Sequence, residues 1–283
     1  MKNSNEMIKG YAAVVCTAIL WSLGGLFIKL VPWSALSINA ARCAIALLVK
    51  IAFRRNLKIH FTKSVVLAGI CFAGTATFFV LGNKFTTSAN AILLQYSAPI
   101  FIILATWLET KRRPRAVDLV ACFFIVGGIC LCFLDNLSAG GMLGNIFALI
   151  AGFFFGMMLF LNAKPDASPD DANMVGFLLS MLVGLPFLVQ ETQFSLPILG
   201  SLAVLGAFQL GLAYILLEYG IRRVNALSVT FLSALEPILN PVWVAVFYGE
   251  KMGLFAYLGG GLVLVTSVLY SAYTARRASR PTQ

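Results

Sequence analysis

At 283 residues, 60% hydrophobic and only 11% charged, the chain has too little polar surface to coat a water-soluble domain of its size. Its net charge of +10 is gathered in short segments between apolar runs, at 54–63, 111–115 and 275–280. That is the pattern of membrane topology and not of a nucleic-acid-binding face, so membrane lipids are the expected surroundings and nucleic acid is not a partner.

In chain order, Lys2 and Lys9 precede an apolar run that opens at Tyr11, read as an uncleaved first span. Ten helices follow, at 10–30, 34–53, 64–83, 87–108, 116–134, 143–162, 173–190, 198–219, 225–247 and 254–274. Each approaches the roughly 20 residues that cross about 30 Å of hydrocarbon. The seventh is the least regular, ending near Pro186. With the N-terminus inside, inner segments hold 16 Lys and Arg and outer loops hold only Lys84 and Lys251, which places both termini in the cytoplasm. Six cysteines lie within apolar runs without a C-x-x-C pair, and the single histidine, His60, sits in a basic loop. Neither a metal site, a cofactor nor a disulfide framework is expected.

An offset of 138 residues aligns Gly82 with Gly220, Lys84 with Arg222, Asn90 with Ser228 and Pro99 with Pro237. Glu109 and Glu250 follow as a second matched point. Five spans per half make the second half inverted relative to the first. The expected fold is therefore an all-α integral membrane protein of ten transmembrane helices in two inverted five-helix repeats, residues 1–138 and 139–283. Inverted repeats of this kind characterise secondary transporters, whose sites lie near the membrane midplane.

Ten helices in this arrangement, Trp21 followed by Lys29, Arg42 in the second span, "EP" at 236–237 and "GEK" at 249–251 resemble the EamA branch of the drug/metabolite transporter superfamily. The resemblance covers nearly the whole chain. It implies a monomer-sized carrier with a central cavity lined mainly by spans 1, 3, 4, 6, 8 and 9, and export of amino acids or other small metabolites.

Polar residues inside the spans nominate the site. Glu236 falls near the middle of the ninth span, where a charge costs roughly 3 kcal/mol unless it faces a cavity, a partner or a proton. Ser233, Glu236, Asn240 and Trp243 recur at steps of three and four, one helical face, while Pro237 and Pro241 remove backbone donors. Glu236 is read as binding a substrate amine or a coupled proton, or as a structural carboxyl. Gln95, with Ser88 seven residues before it and Tyr96 beside it, forms the matching face of the fourth span. Arg42 is read as a partner of Glu236, a reader of a substrate carboxylate, or an arginine bound by carbonyls. Trp21, Phe78, Phe153, Tyr214 and Trp243 offer aromatic surfaces, and Gln209, Thr75 and Thr77 lie at midplane depth. The candidate binding set is thus Glu236, Trp21, Gln95, Tyr96, Gln209, Asn240, Ser233, Tyr214 and Arg42. Lys29 reads as snorkelling, Lys50 as inert, and Glu109 and Glu250 as interfacial residues beside Lys111 and Lys251.

The expected function is secondary transport of a small polar metabolite, such as an amino acid or related amine, by alternating access in the cell membrane. The alternatives are a passive channel or uniporter, or a carrier of sugar phosphates or nucleotide sugars, which would want more basic groups than Arg42. An intramembrane enzyme would need a nucleophile with its base, paired aspartates or metal-ligating histidines, whereas the spans offer no histidine and Asp118, at the inner end of the fifth, stands alone.

Overall fold

The computed structural model describes residues 4–54, 58–134, 139–224 and 226–278, with no strand among them. Ten helices are long and apolar enough to cross a membrane: α1 (Asn5–Leu30), α2 (Ala35–Phe53), α3 (Lys63–Phe85), α4 (Ser88–Thr110), α5 (Ala116–Leu134), α6 (Gly141–Asn162), α7 (Pro169–Leu188), α8 (Leu196–Ile221), α9 (Ser228–Tyr248) and α10 (Leu254–Arg277). Below, the proximal end is the one where α1 begins and α10 finishes, and the distal end is opposite.

Several starts are fixed by side-chain caps that satisfy otherwise orphaned amides. Ser34 caps α2 at Ser37, Thr62 caps α3 at Val65, Thr87 caps α4 at Asn90, and Ser168 caps α7 at Asp171. Pro186 lies in the last turn of α7, which runs two residues past it to Leu188.

Three spans are interrupted. In α1 a turn at Leu23 separates the segment ending at Ser22 from Gly24–Leu30. α4 breaks at Tyr96 and Ser97 before restarting at Ala98, and α9 breaks at Ala234 before restarting at Leu235. These breaks explain the nearby prolines. Pro99 and Pro237 fall in the first turn of a new helical segment, where an amide has no intrahelical acceptor and proline removes nothing. Pro241 sits inside its segment and does release the carbonyl of Pro237. Both α4 and α9 end on a left-handed residue, Lys111 with φ 56° and Gly249 with φ 76°. In α8, Val204–Leu212 winds as a π-helix.

In lipid, helices are held by close packing and internal polar contacts. α3 packs along α6 and α7, α2 along α7 and α8, and α1 along α8 and α9. α5 pairs with α10, where a Cβ on Gly128 would stand 2.6 Å from the Gly259 carbonyl oxygen, so the backbones meet directly. Large apolar side chains such as Phe123, Leu119 and Phe247 face outward, as a lipid-facing surface requires. The distal half of α9 packs on the distal half of α4. Their proximal halves diverge onto other helices, and a cavity opens between them.

Candidate functional site

Two adjoining cavities lie among α1, α4, α6, α8 and α9, with α2 and α3 bordering the deeper one and α7 and α10 the other. The deeper, about 70 Å³, is lined by Trp21, Arg42, Gln95, Gln209, Tyr214 and Glu236 together with Phe72, Thr75, Phe79 and Phe155. The second, about 410 Å³, is a proximal vestibule. Trp21, Phe155, Tyr214 and Glu236 belong to both and form the passage between them.

Each polar group has a local reason for its position. Glu236 is the second residue of the α9 segment that restarts at Leu235, so its side chain sits at the level of the helix break. The Tyr96 hydroxyl, at the matching break of α4, interacts with the Glu236 carboxyl and lies 3.4 Å from the Ser233 carbonyl oxygen. Arg42 reaches from α2 to α3. Its Nη2 donates to the Ala76 carbonyl at 2.9 Å, and Nε and Nη2 donate to Asn39 Oδ1 at 3.2 and 3.1 Å. Asn39 is anchored in turn by donating to Thr77 Oγ1 at 3.0 Å. The remaining guanidinium nitrogen, Nη1, is buried without a protein partner, as are Gln95 Oε1 and Gln209 Oε1. Arg42 is 1% exposed, Gln209 5% and Gln95 9%. One free donor, two free acceptors and a carboxyl therefore converge on a single small cavity. Aromatic faces enclose it: Tyr214 meets Trp21 edge-on at 5.3 Å between centroids and Phe72 at 5.5 Å.

Of the residues nominated from sequence, Trp21, Arg42, Gln95, Gln209, Tyr214 and Glu236 line the central cavity, and Tyr96 and Ser233 line the vestibule. Asn240 lines neither. It is fully buried in a distal closure, with its Oδ1 3.1 Å from the Ser88 hydroxyl, which also bonds Asn83 at 2.5 Å. Trp243 caps that region by donating to Ser22 Oγ at 2.9 Å. Arg42 and Glu236 do not form an ion pair among the described residues; Asn39 and Ala76 hold the guanidinium instead. Phe78 stacks on Phe154 and Phe153 packs on Phe101, both away from the cavities.

Four charged residues, Lys29, Glu250, Glu109 and Lys50, have roles their sequence positions concealed. Lys29 pairs with Glu250 at 2.9 Å and donates to the Thr86 carbonyl, and Glu250 also accepts from the Ser88 amide at 2.6 Å. This polar clasp ties α1, α4 and the end of α9 at the distal side. Glu109 pairs with Lys164 rather than with Lys111. Lys50, 3% exposed, bridges Asp170 at 2.7 Å and Glu218 at 2.5 Å, linking α2, α7 and α8 proximally. Glu218 went unnominated although a carboxylate inside the eighth span carries the same signal as Glu236.

A model of the EamA-like transporter family matches residues 8–134 and again 142–272. The chain belongs to the EamA-like transporter family. Among similar proteins, the uncharacterized transporter YwfM of Bacillus subtilis is 29% identical over 92% of both chains. An uncharacterized transporter of Archaeoglobus fulgidus is 24% identical over 90% of this chain and 93% of its own. Human solute carrier family 35 member G1 is 21% identical over 91% of this chain and 77% of its own. A crystal structure at 18% identity superposes with a TM-score of 0.61, covering 97% of this chain and 99% of that one, which shows a common fold. This EamA-like chain is a multi-pass membrane transporter.

Proposed function

We propose that the protein is a secondary carrier that exports small zwitterionic or amine metabolites, amino acids among them, across the cell membrane by alternating access. The observation that carries this reading is the convergence of the free Arg42 Nη1, Gln95 Oε1 and Gln209 Oε1 with Glu236 on one cavity. A guanidinium N–H suits a carboxylate, while two amide oxygens and a carboxyl suit an ammonium group. Each such charge-assisted hydrogen bond is worth about 1.5–3 kcal/mol. The aromatic walls accommodate the apolar remainder of the cargo.

The lysine and arginine count assigns the proximal end to the cytoplasm, so the vestibule is the cytoplasmic entrance and the Ser88, Asn240, Lys29 and Glu250 contacts close the far side. Two inverted repeats, 1–138 and 139–283, are supported by the helix breaks at Tyr96 and Ala234 and the left-handed ends at Lys111 and Gly249, each pair separated by the same offset as the sequence match. Rocking of the two halves about these breaks would open the distal closure as the vestibule shuts. The working unit is a monomer, with protons as the coupling ions.

The test is flux through the purified protein in liposomes loaded with radiolabelled alanine or cadaverine. Saturable efflux, accelerated by unlabelled substrate on the opposite side and abolished in Glu236→Gln, is the expected result. Non-saturating flux without exchange stimulation would mean a channel. Carriage of sugar phosphates in place of either probe would overturn the zwitterion and amine reading.

A further inference from the structure

The vestibule is electrically one-sided. Among the described residues, its lining contains two carboxylates, Glu218 and Glu236, and no lysine, arginine or histidine. Asn162, also in the lining, has a buried amide oxygen with no hydrogen-bond partner. Lys50, which holds Glu218, is nearly buried and is absent from the lining, so it fixes the carboxylate from behind while leaving it on the cavity surface. The order along α8 sets the spacing. Tyr214 borders both cavities, and Glu218 stands one helical turn nearer the proximal end, about 6 Å along the axis. Arg42 lies on the opposite, deeper side of Glu236, in the central cavity alone.

We infer that the cargo is a dibasic amino acid, lying along the two cavities with its carboxylate on Arg42, its α-ammonium on Glu236 and its distal cation on Glu218. This rests on the zwitterion reading above and extends it to a specificity-determining residue. A four-carbon stem such as lysine's extends from the passage bordered by Tyr214 and Glu236 past the one-turn step along α8 to Glu218. A monobasic zwitterion fills the central cavity and leaves Glu218 and the Asn162 oxygen without a ligand cation. An anion meets two carboxylates and, among the described residues, no cationic side chain in the vestibule.

Binding to the purified full-length protein in detergent, read as thermal stabilisation across ligand concentration, tests this with L-lysine, L-norleucine (the same stem without its amine) and cadaverine. The wild type is expected to bind lysine about tenfold more tightly than norleucine. In Glu218→Gln, where Lys50 keeps Asp170, and in the paired Lys50→Gln/Glu218→Gln variant, which removes the buried lysine as well, lysine falls to the affinity of norleucine. The inference is overturned if lysine keeps its advantage in both Glu218 variants, or if norleucine binds the wild type as tightly as lysine does. The underlying reading fails separately, and is recognised by norleucine binding that is indifferent to Glu236→Gln. Cadaverine, which lacks the carboxylate, should bind more weakly than lysine and be insensitive to changes at Arg42.

Discussion

Arg42, in the cavity lining, keeps one guanidinium nitrogen without a protein partner while Asn39 and Ala76 engage the others. Lysine at that position carries the charge but not the planar fork, so it cannot serve Asn39, Ala76 and a substrate together. Arg42→Lys should therefore weaken binding of carboxylate-bearing ligands about tenfold or more, equivalent to about 1.5–3 kcal/mol, and leave cadaverine unaffected in calorimetric titrations. Gly25 makes a different demand. A Cβ there would collide with the Ser88 hydroxyl and stand 2.8 Å from the Asn240 amide, at the centre of the distal closure. Gly25→Ala should lower the midpoint of thermal unfolding and increase labelling of cysteines introduced at that end. Residue-level legibility followed cost: a carboxylate within an apolar run is visible because the membrane penalises it, which exposes Glu236 and should have exposed Glu218. Phe72, Phe79 and Phe155 carry no such mark. With 23 phenylalanines in the chain, only helix rotation distinguishes cavity-facing rings from lipid-facing ones.

The interrupted helices turn isolated residues into a machine part. Tyr96 and Ser97 in α4 and Ala234 in α9 divide both spans at matching levels, with distal segments joined and proximal segments apart. The Lys29–Glu250 pair reinforces the joined side, its side chains 13% and 16% exposed. A double-mutant cycle of Lys29→Met and Glu250→Gln should give a coupling of about 1–2 kcal/mol, above that of an exposed pair, in unfolding of the detergent-solubilised protein. At the periphery, Gly128→Leu should separate α5 from α10, since the Gly259 backbone leaves no room for a side chain. Its signature is a lowered unfolding midpoint with substrate affinity retained in the surviving folded fraction. Span number and approximate limits were legible because apolar length is dictated by the bilayer. Pro237 and Pro241, by removing backbone donors, marked α9 as irregular, and Pro99, aligned with Pro237, pointed to the same level of α4. The turn at Leu23 and the π-helical winding of Val204–Leu212 were not legible, since an altered backbone register leaves composition and hydropathy unchanged.

Across the whole molecule, charged contacts outside the bilayer join segments distant in sequence. The Ser64 hydroxyl donates to Asp166 Oδ1 at 2.7 Å, tying the start of α3 to the connection between α6 and α7. That hydrogen bond, the largest influence, holds the Asp166 carboxyl below its ordinary value. Because the folded-state value is depressed, the stabilisation is complete above the unfolded aspartate range, about pH 3.9, and is lost as pH falls through the folded value. Asp166→Asn should therefore be less stable than the wild type near neutrality, with the difference shrinking in acid so that the acidic limb of its unfolding profile is flatter. A vestibule lined by carboxylates and, among the described residues, by no basic side chain has an electrical consequence as well. A cargo with one net positive charge that leaves without a counter-ion works against about 2.3 kcal/mol per 100 mV of inside-negative potential, roughly a fiftyfold concentration ratio. Exchange for one incoming proton cancels that work. Vesicles clamped at opposite voltages would therefore count the charges moved per cycle: equal lysine efflux at both polarities means neutral exchange, and a steep difference means that the membrane potential itself sets how far the cargo can be expelled.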